Sequence, residues 1–207
     1  MDRGSGTGQE DSPDERWVDI LSEYLPKCGI RLLENPNILN IGCGKNVKWN
    51  YLAVAIYVAR QGLGIPFYVG VDLKKEPLGQ AKRALGELVS LVAGDARNLT
   101  RFLRGTYQLA VFEHPNISTS PEGPKTWRRV FRETARLLDG SGGIILTSFW
   151  LNDIIPAKMA LERTRYHILY SGGNKFPGKQ FNTGRDGEPL RFDQYIIVAK
   201  PPSVKTS

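Results

Sequence analysis

Residues 37 to 46 read Asn37-Ile38-Leu39-Asn40-Ile41-Gly42-Cys43-Gly44-Lys45-Asn46, an apolar run that breaks into a glycine turn. The apolar half reads as a buried strand, and Gly42 and Gly44 let the backbone turn tightly and approach a ligand closely. A tight strand-to-helix turn without a ligand is the plain alternative for this segment taken alone. Outward from it, β-rich runs recur at 67–72, 89–93, 107–112, 143–149, 167–170 and 194–199, which with 37–41 makes seven strands. Helix-length segments at 49–61, 76–85 and 125–138 separate the early ones. In the last of these Trp127, Val130, Phe131, Thr134 and Leu138 share one face and Arg128, Arg132 and Arg136 another. Such alternation predicts an α/β fold, a doubly wound, seven-stranded, mostly parallel sheet with an antiparallel last strand and helices on both faces. The last strand is antiparallel because only 171–193, with five Gly and two Pro, separates it from its predecessor, too little for a packed crossover helix.

Before the first strand, Ser12-Pro13-Asp14-Glu15 has capping-box spacing, followed by Trp17, Ile20, Leu21 and Tyr24 at helical intervals. An amphipathic opening helix is expected there. Residues 1–11 read as a disordered tail, 12–200 as one domain and 201–207 as a flexible tail. The 207-residue chain carries +7 formally, but residues 1–16 hold two Arg against five Asp and Glu, so the remainder stands at +10. A basic body suits an anionic partner, RNA or an acidic metabolite, as well as a merely solvated surface. The longest purely apolar run, 51–59, is nine residues against the roughly 20 of a membrane span. No apolar leader opens the sequence and its cysteines are only Cys28 and Cys43, both pointing to the cytoplasm.

In an open α/β sheet, ligands sit beyond the carboxyl ends of the strands, so the residues after each strand carry the function. The Gly42 turn is not a P-loop, since no Gly-Lys-Ser/Thr follows at the required spacing, nor a dinucleotide fingerprint, whose third glycine would replace Val47. Asp72 closes the second strand, where its carboxylate can accept both hydroxyls of a ribose or cap the next helix. Asp95, after the third strand in Gly94-Asp95-Ala96, can accept from an exocyclic amine, with capping again the alternative. A glycine turn and two acids on one sheet edge point jointly to a nucleoside-like ligand.

On Ile38-Leu39-Asn40-Ile41-Gly42-Cys43-Gly44, Val71-Asp72-Leu73, Gly94-Asp95-Ala96 and the strand count, the chain resembles the class I S-adenosylmethionine-dependent methyltransferases over about 17–199. The resemblance implies S-adenosyl-L-methionine as cofactor: the Gly42-Cys43-Gly44 turn against its methionine part, Asp72 on the ribose and Asp95 on the adenine amine. Leu73, Ala96 and Glu113 would complete those contacts. Asn40 stands where the family usually has an acid, and Asn46 where a third glycine is frequent. Asn40 can still accept from the cofactor ammonium, with the weaker bond of a neutral group.

The loop after the fourth strand, Glu113-His114-Pro115-Asn116, borders the transferable methyl group in that fold, which makes Glu113 and His114 the catalytic candidates. It lacks the Asp/Asn-Pro-Pro-aromatic pattern of amino-methylating relatives. His114 can take a proton from the acceptor and Glu113 can orient it or the cofactor; a solvated loop histidine is the alternative. No metal site is expected from two histidines and two cysteines. The insertion 171–193 interleaves Lys175, Lys179, Arg185 and Arg191 with Phe176, Phe181 and Phe192, which suits base stacking or a lid over a small substrate. Three readings stay open: a methyltransferase with an unassigned nucleic-acid or small-molecule substrate, a non-catalytic scaffold of the same fold, and another transferase such as an aminopropyl transferase.

Overall fold

The first helix, α1 (Glu15–Lys27), buries Trp17, Ile20, Leu21, Tyr24 and Leu25 on one face, with Glu15 in its first turn and Lys27 in its last, as the helix dipole favours. The structure, a computed structural model, describes residues 15–44, 47–183, 187 and 189–202. The expected Ser12 cap, the 1–11 tail, Asn46 and residues 203–207 therefore lie outside the described residues. After α1 come β1 (Asn37–Ile41), α2 (Val47–Arg60), β2 (Phe67–Asp72), α3 (Lys75–Leu85) and β3 (Val89–Ala93). A short 3-10 turn, Ala96–Asn98, leads to α4 (Leu99–Phe102), β4 (Tyr107–Glu113), α5 (Gly123–Ala135), β5 (Leu138–Ser148) and α6 (Leu151–Arg163). The chain ends in β6 (His167–Gly173), β7 (Gln180–Thr183), β8 (Pro189–Arg191) and β9 (Tyr195–Lys200).

Seven of these strands form one sheet in the order β3-β2-β1-β4-β5-β9-β6, with β9 antiparallel to both β5 and β6 and every other neighbouring pair parallel. The central strands are buried on both faces; β4 hides all but its last residue. That is the cause of their largely apolar reading. Ile38, Tyr68, Leu109 and Val198 pack beneath α1, α2 and α3 on one face, and Leu39, Val69, Phe112 and Ile197 pack with Phe131 and Leu161 of α5 and α6 on the other. Connections leave β1 toward one edge and β4 toward the other. The crevice between their carboxyl ends is the switch point where ligands bind in such sheets.

The expected topology holds, with three additions. Helix α6 was not anticipated between the fifth and sixth strands: its Leu151, Ile155 and Met159 are exposed and Pro156 sits inside it, so the helical period is blurred. The 171–193 insertion carries a separate hairpin, β7 paired antiparallel with β8. Strand β5 begins at Leu138 rather than 143, because Leu138 pairs with Tyr107 across a register break, and α5 ends three residues earlier than the helical pattern suggests.

Candidate functional site

At the end of β1 the chain turns through Gly42 (φ 73°) and Gly44 (φ 52°), left-handed conformations that favour glycine, and a Cβ at either would meet nothing within 4 Å. The turn is pinned from below: Gly42 N–H donates to Val71 O at 2.8 Å and Gly44 N–H to Asp72 Oδ2 at 2.9 Å. Cys43 faces the core, where its Sγ lies 3.0 Å from the position a Cβ on Gly70 would take, so Gly70 lets the turn seat on β2. Burial pushes its thiol up to about 12, which leaves an inert sulfur and only backbone atoms to meet a ligand.

Asp72 accepts on both oxygens, from Gly44 N–H and from Lys74 N–H at 2.9 Å each. It therefore ties the glycine turn to the start of α3, and each oxygen keeps a second lone pair. Leu73 beside it is exposed. Asp95 realises the capping alternative: it accepts from Arg97 N–H at 2.9 Å and pairs with the Arg97 guanidinium at 2.6 Å, which holds its carboxyl below the ordinary value. Ala96 follows, half-buried. Asn40 is fully buried; its Nδ2 donates to Tyr68 Oη at 2.7 Å, and its Oδ1 has no partner among the described residues. A buried acceptor without a donor costs about 1–3 kcal/mol, so this oxygen marks a place prepared for one.

The second half of the crevice is built around β4. Glu113 accepts from Trp17 Nε1 at 3.1 Å and from Asn50 Nδ2 at 2.7 Å. Burial and the charge of Asp193 together raise its carboxyl above the ordinary value, against the lowering effect of His114 and the two donors. His114 is held by a different acid from the one expected. Its Nε2 lies 3.0 Å from Asp193 Oδ1 and 3.2 Å from Asp193 N, so it donates to the carboxylate when protonated there and accepts the amide when bare. Asp193, fully buried, also pairs with Arg16 at 2.6 Å and accepts from Thr147 Oγ1. His114 and Asp193 each carry φ of 49°, rare for non-glycine residues. Their bonds, rather than backbone preference, keep them facing.

Sequence reasoning left out Arg16, Trp17, Asn50, Thr147 and Asp193 as site residues. One signal pointed to Asp193: an antiparallel last strand begins beside the carboxyl end of its neighbour, and Tyr195 indeed pairs with Ser148. Ligand atoms of Glu113, His114 and Asp193 lie within 4.8 Å of one another, a constellation that their sequence separation conceals. The donors already on both carboxylates make this a hydrogen-bonded charge network, with Arg16 supplying the positive charge.

Burial opposes the charge on His114 most strongly, but the hydrogen bond and charge of Asp193, aided by Glu113, outweigh it and raise the imidazole above its ordinary value. A folded state that binds the proton more tightly gains stability fully present below about pH 6.5 and lost as pH rises through the folded value. Urea midpoints taken from pH 6 upward are therefore expected to fall in the wild type and to fall less in His114→Gln. Identical pH profiles would remove His114 as the cause.

The sequence matches no protein-family model and no curated protein. Solved structures do match. A chain of the complex between the Haloferax volcanii Trm112 methyltransferase activator and a putative methyltransferase superposes with TM-score 0.64 at 13% identity, covering 94% of this chain and 92% of that one. The precorrin-6y C5,15-methyltransferase of Geobacter metallireducens gives 0.61 at 16% identity, covering 96% and 94%. An S-adenosylmethionine-dependent methyltransferase of Clostridium acetobutylicum gives 0.60 at 12%, covering 94% of each. The fold is that of the class I methyltransferases. Within this methyltransferase fold the glycine turn, Asp72 and the Glu113-His114 loop all lie at the carboxyl edge. Among the described residues no helix is long and apolar enough to cross a membrane.

Proposed function

We propose that this chain is an S-adenosylmethionine-dependent methyltransferase whose acceptor surrenders a proton to His114. The observation that supports it most directly is the buried Oδ1 of Asn40, without a partner among the described residues, at the same sheet edge as the open glycine turn and Asp72. These residues fit the cofactor's donors: Asn40 an ammonium, the spare lone pairs of Asp72 two ribose hydroxyls, and Leu73 an apolar ring face. When bound, the cofactor supplies an electrophilic methyl group on a sulfonium. Glu113, fixed by Trp17 and Asn50, contributes negative charge beneath the crevice, which favours a cation there. Asp193 fixes the imidazole and stabilises its charged form, so His114 is a stronger base than a solvated one, with Nδ1 left to exchange the proton. Asp193 is here a positioning residue. The basic body, +10 outside residues 1–16, supports an RNA or another anionic molecule as the acceptor, and the unbonded Cys28 and Cys43 support a cytoplasmic setting.

A second reading, a non-catalytic member of the fold, is favoured by one contact: Arg97 already occupies Asp95, the acceptor meant for the adenine amine. Calorimetric titration with S-adenosylmethionine and S-adenosylhomocysteine separates the readings. Micromolar binding followed by transfer of a radiolabelled methyl group to an RNA or metabolite pool is the expected result. Absence of binding up to millimolar ligand would sink the cofactor assignment, and binding without transfer to any pool would favour the scaffold.

A further inference from the structure

Beside His114 lies a cluster of rings that the cofactor contacts do not use. Phe149 meets the imidazole edge-on at 5.2 Å between centroids, and Phe192 lies 5.8 Å from it on a second side, tilted by 34°. Phe181, brought by the β7–β8 hairpin, stands 4.5 Å from Phe192 and 5.3 Å from Phe149, and Trp150 stands 5.1 Å from Phe149. Trp150, Phe181 and Phe192 are nevertheless 40%, 43% and 42% exposed. Surface this apolar gains by meeting another apolar body, and rings gain further from a flat π partner that stacks on them. The electrostatics limit what that partner carries. With the imidazole neutral, the carboxylate of Asp193 is paired with Arg16 while that of Glu113 meets only the neutral donors Trp17 and Asn50 among its described hydrogen bonds, so a negative group brought to His114 is repelled.

We infer that Phe149, Trp150, Phe181 and Phe192 bind a planar, uncharged ring and present it to His114. The inference rests on the methyltransferase reading and names its acceptor: a heteroaromatic or phenolic ring bearing an N–H or O–H. An acceptor that is anionic as a whole, such as RNA, keeps its phosphates away from this centre and offers it a base. The two sources share the ring, so the probes are simple rings.

Saturation-transfer NMR on the full chain with phenol and indole, against cyclohexanol and benzoate, tests this. Phenol and indole are expected to bind at least about fivefold more tightly than cyclohexanol, with benzoate weakest, and to lose about fivefold or more in Phe181→Ala and Trp150→Ala. Cyclohexanol binding as well as phenol, in the wild type alone, would reduce the cluster to a generic apolar patch and overturn the inference. So would undiminished ring binding in both variants, or benzoate binding as tightly as phenol. Titration of S-adenosylhomocysteine into the same samples keeps the two ideas apart: cofactor binding with no ring preference overturns only the ring site, whereas failure of cofactor binding overturns the reading beneath it.

Discussion

Asp193→Ala is expected to cost about 3–5 kcal/mol of folding stability, the typical penalty for removing one partner of a buried ion pair. Asp193 is fully buried and meets Arg16, His114 and Thr147 at once. Its removal leaves a guanidinium and an imidazole facing each other without the carboxylate that reconciles them. The folded imidazole then loses the main influence that raised it, so the pH dependence attributed to His114 should weaken in the same variant. Urea denaturation at pH 7 measures the first effect; Asp193→Asn, which keeps the acceptor for Thr147 but not the charge, should fall between. A variant within about 1 kcal/mol of the wild type would mean that the network contributes little to the fold.

Asp72→Ala is expected to weaken S-adenosylmethionine binding by at least about 100-fold, since two hydrogen bonds to a charged group are each worth about 1.5–3 kcal/mol. The same change takes the acceptor from Gly44 N–H and Lys74 N–H, so the glycine turn loses its tie to α3. Asp72→Asn keeps one acceptor oxygen and should retain more affinity than the alanine variant. Calorimetry gives both numbers. An affinity within about threefold of the wild type in Asp72→Ala would show that the cofactor, if bound, does not lean on this carboxylate.

The half of the site that the sequence made legible is local: strand, glycine turn and terminal acid fall within a few residues of each other, and each motif announces its own strand end. Helical and strand periods likewise carried the sheet, because β1, β2 and β4 are covered on both faces and so read as largely apolar runs, interrupted by the buried Asn40 and Gln108. The other half is assembled across distance. Asp193 reaches His114 over 79 residues and Arg16 over 177, separations at which no motif spacing can speak. Glu113 stands out in the sequence as the residue that closes the fourth strand, but its partners Trp17 and Asn50 read there only as an apolar helical position and an ordinary polar one. Asp95 shows the converse limit: a carboxylate after a strand looks the same in sequence whether it awaits an amine or has closed on Arg97 two residues on.

The Arg16–Asp193 pair also sets a timetable. It is among the contacts of longest sequence separation in the fold, and such contacts close late because the intervening chain must be ordered first. During synthesis α1 emerges early and waits for β9 to arrive. While the chain is being made, the imidazole of His114 therefore stands without its counter-charge until residue 193, 79 positions on, has been added. The charge network around His114 is thus complete only once Arg16 and Asp193, at opposite ends of the described fold, have met.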